Sequence, residues 1–265
     1  MLSGELAGEG RPVVLLHGLT ATRRYVVMGS RALERSGHLV LAYDARGHGR
    51  SAPAADGDYC YPRLALDIEA MLDAAGIGRA VLTGASMGAH SAVRFALDRP
   101  ERVSGLVLVT PAYDPDRFGS VEELAEWDAL ARGLREGGVE GFVAAYPLKR
   151  LAPALRPTIE TVLRQRLSAH EHPRAVADAL EAVPRSRPFE SAADLAAIEV
   201  PTLVVASRDE ADPGHPLAVG EAWSEWIPGA RLLVEEPATP PRSPIAWQGG
   251  QLSRAIAELA ADVRT

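Results

Sequence analysis

Between Ala80 and Leu97 the chain has to change secondary structure within one tight turn, and this requirement constrains everything around it. Ala80-Val81-Leu82 is a short, wholly apolar run of the kind that suits a strand buried on both faces. Ala89 to Leu97 is compatible with a helix and is closed by Arg99-Pro100. The link between them is Thr83-Gly84-Ala85-Ser86-Met87-Gly88. A serine at the apex of such a corner is held in a strained conformation, so its neighbours two residues away on each side must be almost bare of side chain; Gly84 and Gly88 meet that condition. The corner lifts the hydroxyl above the sheet and turns the first backbone N–H groups of the helix toward whatever it attacks. Gly84 to Gly88 therefore spells G-x-S-x-G, the pattern of a nucleophile elbow. The flanking strand and helix distinguish it from a glycine-rich turn with an incidental serine.

Similar apolar runs recur on both sides. Arg11-Pro12-Val13-Val14-Leu15-Leu16-His17-Gly18 opens with an apolar run, bounded by the proline and the glycine, that reads as a buried strand, and Leu19 to Thr22 reads as a loop. Arg24 to Arg35 reads as a helix closed by Gly37. His38 to Tyr43 is a second strand, running into Asp44-Ala45-Arg46-Gly47-His48-Gly49-Arg50-Ser51. Leu64 to Ala75 carries apolar residues at helical spacing, and Val103 to Val109 is another buried strand. Strands alternating with helices predict an α/β fold: a mostly parallel central sheet with helices on both faces.

From about Pro111 to Ile198 the alternation stops. Val121 to Arg135, Thr158 to Ser168 and Ala175 to Val183 read as helices punctuated by prolines, and no buried strand is apparent. This predicts a helical lid over residues 113–198 inserted into a core made of residues 1–112 and 199–265. Its place after the carboxyl end of a strand puts it over the side of the sheet where ligands bind in open α/β folds. Trp127, Phe142 and Tyr146 within it are candidates for an apolar pocket, with core packing as the competing reading. The alternation resumes with a strand at Pro201 to Ala206, a helix at Pro216 to Trp226, a strand at Ala230 to Val234 and a last helix from Ile245 to Val263.

Bulk properties exclude some partners. The 265 residues carry a net charge of −7 with no basic block, so nucleic acid is not an expected partner. A hydrophobic fraction of 47% supports a real core, yet no apolar run reaches membrane-spanning length. Met1 to Pro12 lacks the basic start and apolar stretch of a signal peptide, and Cys60 has no partner cysteine, so the expected setting is the cytoplasm. The expected partner is a small-molecule substrate; no cofactor or metal is expected, and oligomeric state is left open. The His170-x-His172 pair has no third ligand close in sequence and reads as two solvent-facing side chains. The glycine turn contains no G-x-G-x-x-G, which argues against a dinucleotide site.

On the elbow, His17-Gly18 after the first strand, the Asp44–Ser51 turn and the helical insertion before Pro201, the chain resembles the α/β-hydrolase superfamily from Pro12 onward. Members usually begin with an antiparallel hairpin, and only Met1 to Gly10 is available for it here. The resemblance implies an oxyanion hole made by the backbone N–H groups of Leu19 and Met87. It also implies that His17 props up the loop, and that the charged groups of the Asp44 turn hydrogen-bond locally. It disfavours a haloalkane dehalogenase, which needs an aspartate where this chain has Ser86.

A serine hydroxyl needs a base, and the base a supporting carboxylate. The resemblance implies a carboxylate after the strand at Leu203–Ala206, and the loop offers three: Asp212 by its spacing to Pro216, Glu210 by counting from the strand end, and Asp209 third. It also implies a histidine after the last strand, near Arg242-Ser243, but no histidine follows His215. Arg242 cannot replace it, because a guanidinium stays protonated. His215, at the same rim of the sheet, is the candidate base. His90, one turn beyond Ser86, is expected to pack beneath the elbow, His48 to sit in a scaffold loop, and His38 to be structural. Two functions follow. One is a serine hydrolase acting on a small ester, lactone or thioester. The other, motivated by the missing C-terminal histidine, is a non-hydrolytic member of the fold that binds a small hydrophobic ligand or acts as a lyase or cyclase.

Overall fold

The computed structural model describes residues 1–208, 213–235 and 250–263. Among them are strands β1 (Gly4–Ala7), β2 (Arg11–Leu16), β3 (His38–Tyr43), β4 (Ala80–Ala85), β5 (Val103–Val109), β6 (Thr202–Ser207) and β7 (Arg231–Glu235). They form one sheet in the order β1-β3-β2-β4-β5-β6-β7. All neighbours are parallel except β1, a four-residue edge strand that runs antiparallel to β3. The short N-terminal stretch therefore supplies one edge strand.

The helices are α1 (Ala32–Arg35), α2 (Tyr61–Ala74), α3 (Met87–Asp98), α4 (Val121–Ala145), α5 (Arg156–Leu167), α6 (Pro173–Ala182), α7 (Leu217–Trp226) and α8 (Gln251–Asp262). Because successive strand residues point to opposite faces, each strand feeds two cores. Val14, Leu16, Leu82, Leu106, Leu108 and Val204 pack against α2, α3 and α7 through Ile68, Leu72, Val93, Phe95 and Trp223. Val13, Leu15, Val81, Val107, Leu203 and Val205 pack against α1 and α8 through Leu33, Ile256 and Leu259. This burial on both faces is why the strands are continuous apolar runs.

Two elements differ from the sequence expectation. The helix expected over Arg24–Arg35 is reduced to a single 3-10 turn at Arg23–Tyr25 and the four-residue α1. Met28 and Gly29 both have positive φ (50° and 73°), which a helix cannot accommodate. The helix expected to end at Arg135 continues to Ala145, bent at Gly138 (φ 60°, ψ −146°). The two arms of α4 come so close that a Cβ on Gly133 would lie 2.4 Å from the Gly141 carbonyl oxygen, and only glycines permit that approach. The residues between β5 and β6 contain no strand among those described, as expected, and α4, α5 and α6 pack around a core of their own that includes Leu134, Phe142, Leu163 and Leu180. Phe142 is buried in that core, with Trp127 and Tyr146 half-buried against it.

The sheet order sets where a site can form. From β2 the chain crosses to β3 on one side and then returns to place β4 on the other, so the order reverses between β2 and β4. Loops leaving the carboxyl ends of such a strand pair diverge and leave a crevice. Register pairs Leu16 with Gly84 and Ala85 with Val109, so the turns after β2, β4 and β5 emerge side by side.

Candidate active site

Ser86 stands at that crevice. Its φ of 50° and ψ of −114° make it one of the few non-glycine residues with positive φ, and it caps α3 without itself being helical. The Ser86 N–H donates to Val109 O (2.9 Å) and its carbonyl accepts from His90 N–H (3.0 Å), so the apex is tied to the sheet below and to the helix beside it. The flanking glycines are required by contact. A Cβ on Gly84 would lie 2.2 Å from the Gly88 carbonyl carbon, and one on Gly88 would lie 2.1 Å from Leu16 O. Ser86 is half-buried, and Met87 opens α3, whose first N–H groups have no partner within the helix.

The Gly18–Leu19 turn lies against this apex: a Cβ on Gly18 would be 3.5 Å from Ser86 Cβ and 3.3 Å from Ala85 O. His17 sets its orientation. Ala45 N–H donates to His17 Nε2 (2.8 Å), which leaves the proton on Nδ1 to donate to Gly18 O (2.8 Å). Gly18 O also accepts from Ala21 N–H (3.0 Å), closing the turn. In a trans peptide the carbonyl and the following N–H point in opposite directions. Pinning Gly18 O on one side therefore aims the Leu19 N–H out of the other. His17 thus supports the loop, as the resemblance implied.

His17, His48, His90 and His170 are buried, and burial disfavours their protonated forms. Burial lowers His17 to about 4. Burial, and then the repulsion a protonated His17 would exert, hold His48 well below its usual value, and burial also lowers His170. His48 donates from Nδ1 to Arg46 O (2.9 Å) and its ring lies between those of His17 and His170, at centroid distances of 5.2 and 5.5 Å. His90 lies under the elbow: its Nε2 accepts from Ala112 and Tyr113 N–H (3.1 and 3.2 Å), and its Nδ1 faces Tyr61 Oη at 2.8 Å. Burial first, and then the charge of His215, lower it to about 3. With both nitrogens engaged, His90 is structural, as is His38, buried beside Ser36 and Leu33.

His170 corrects the sequence reading. It is not on the surface but buried, accepting from Gly49 N–H at Nδ1 (2.8 Å) and donating from Nε2 to Thr20 O (2.9 Å). Nothing in its local sequence marks this, because both partners lie more than a hundred residues away. His172 is half-buried. In the Asp44 turn the charges pair locally: Asp44 accepts from Arg23 through its backbone N–H (2.9 Å) and its guanidinium, and Arg46 forms a two-pronged pair with Asp67 (2.7 and 2.8 Å).

His215 is half-buried two residues before α7, close enough for its charge to act on His90. The candidate acids Asp209, Glu210 and Asp212 lie outside the described residues, as does Arg242. Met87 packs in one cluster with Tyr61 and with Ala175, Ala179 and Val183 of the helical segment, and Leu19 packs against the same group.

A family model described as the alpha/beta hydrolase fold matches residues 11–240. The chain belongs to that family and is a hydrolase. Among its relatives is RutD of Variovorax paradoxus (strain S110), assigned as a carbamate hydrolase; it is 33% identical over 205 residues, which cover 77% of this chain and 75% of RutD. Another is 2-hydroxy-6-oxononadienedioate/2-hydroxy-6-oxononatrienedioate hydrolase 2 of Pseudomonas putida, 34% identical over 86% of this chain and 80% of its own. A solved thermophilic esterase from Thermogutta terrifontis, with malate bound, superimposes with a TM-score of 0.79 at 30% identity, covering 100% of this chain and 94% of the esterase.

Proposed function

We propose that this chain is a serine hydrolase of small esters, lactones or thioesters. Ser86 attacks the carbonyl carbon, the Leu19 and Met87 N–H groups stabilise the oxyanion, and His215 takes the serine proton and returns it to the leaving group. Asp212 orients His215, with Glu210 and Asp209 as the other two carboxylates of the same loop. Water then attacks the acyl-serine and regenerates the enzyme. Residues 113–198 act as the lid over this centre. The observation that carries the reading is the positive φ of Ser86 beside a turn whose Leu19 N–H is aimed by His17. The esterase and the other hydrolases among the relatives support this class of chemistry.

A non-hydrolytic reading rests on the absence of any histidine after His215, and the relatives' names weigh against it. The two separate cleanly. A fluorophosphonate probe should label the wild type and leave Ser86→Ala unlabelled; equal labelling of both would sink the proposal. Hydrolysis of p-nitrophenyl acetate should fall by about 10²–10⁴-fold in His215→Ala, the usual worth of a general base. Ligand-induced thermal stabilisation with no turnover would favour the non-hydrolytic reading instead.

A further inference from the structure

The Leu19–Thr20 turn is strained, and what restrains it comes from the helical segment. Thr20 has a φ of 66°. A β-branched residue seldom adopts that conformation, and it persists only where surrounding contacts over-determine it. Those contacts converge from the last turn of α5 and the residues just after it. Arg166 Nη2 donates to Leu19 O (3.0 Å) and to Thr20 Oγ1 (2.8 Å). His170 Nε2 donates to Thr20 O (2.9 Å), and the ring is held in that tautomer by Gly49 N–H at Nδ1 (2.8 Å). Glu171 N–H donates to Gly49 O (2.9 Å), which anchors the stretch to the Asp44 turn. Both carbonyls of the strained turn, and its one side-chain hydroxyl, are therefore held by residues 166 and 170.

We propose that Arg166 and His170 are positioning residues: through them the helical segment holds the Leu19–Thr20 turn in the conformation that aims the Leu19 N–H at Ser86. The inference rests on the oxyanion role given to Leu19 above. His17 pins the peptide plane before Leu19 and Arg166 pins the plane after it, so neither suffices alone. The helical segment thus does more than cover the crevice, because removing its grip lets the turn relax toward negative φ at Thr20 and swings the donor away. A donor that is misdirected is lost where charge develops, while ground-state binding of the ester is little changed.

The test uses the full chain with p-nitrophenyl acetate as substrate, and hydrogen exchange of a peptide spanning residues 16–25 as a readout independent of turnover. Arg166→Met and His170→Ala should each lower kcat by about 10- to 100-fold with KM within about twofold, and should speed exchange of that peptide. Arg166→Lys, which keeps the charge but cannot reach two oxygens as a fork, should fall between Arg166→Met and wild type. Unchanged exchange in the variants overturns the proposal, as does unchanged kcat in an active enzyme. Failure of the reading beneath it looks different: the wild type neither hydrolyses the ester nor takes the fluorophosphonate. Exchange then decides the clamp alone, faster exchange in both variants sustaining it and unaltered exchange refuting it.

Discussion

Two glycines illustrate how little freedom the centre leaves to single residues. A methyl group on Gly88 would meet the carbonyl oxygen of Leu16 at 2.1 Å, and one on Gly84 would meet the backbone of Gly88 at 2.2 Å. Neither neighbour is a flexible side chain, so relief requires the sheet and α3 to separate. Gly88→Ala is expected to cost about 3 kcal/mol, at the upper end for overpacking, seen as a lower urea midpoint with an unchanged slope. These glycines were legible because the steric demand of the corner falls within five consecutive residues. The histidines were legible only in part. His17 and His90 have the structural roles expected of them, whereas the local sequence of His170 points to the surface, because its partners Thr20 and Gly49 are distant in sequence.

At the scale of elements, apolar periodicity located the strands well. Val103–Val109 is the strand it was expected to be, and β2, β3 and β6 agree within a residue or two. Periodicity failed where backbone torsion rather than side-chain burial decided the outcome. Met28 and Gly29 break the helix expected after β2, and α4 runs on past Arg135, where the expected helix ends, by bending at Gly138. The conformation at Gly138, φ 60° with ψ −146°, belongs almost only to glycine. Gly138→Ala should therefore destabilise the chain by about 1–3 kcal/mol. Thermal unfolding should show it as a drop of several degrees. Fluorophosphonate labelling of Ser86 below the transition should persist, because the bend lies in α4, whose buried apolar residues pack with α5 and α6 and not in the cluster around Met87.

For the whole molecule, the buried imidazoles make stability depend on pH. In the folded state His17 and His90 are held down to about 4 and about 3 by burial, against an unfolded value near 6.5. As pH falls below 6.5 the unfolded chain takes up protons that the folded chain refuses, so stability is intact above 6.5 and is lost progressively on acidification. At pH 5 the loss comes to about 2 kcal/mol for each of these two rings, with His48 and His170 adding in the same direction. Urea denaturation at pH 7.5, 6 and 5 should show the midpoint falling steadily, and a His90→Gln variant should show a shallower fall; a flat profile would mean the rings take up protons as readily in the fold as in the unfolded chain.

The amino-acid sequence determined the strands, the corner at Ser86 and the class of fold, since each depends on side-chain period and steric demand over a few neighbouring residues. Tertiary structure decided the rest. Sheet order brought residue 18 beside residue 86, and folding of the helical segment carried Arg166 and His170 to a turn some 150 positions earlier in the chain. Contacts at that separation leave no local pattern, because they are selected by how packed layers meet and not by the conformation of the chain on either side.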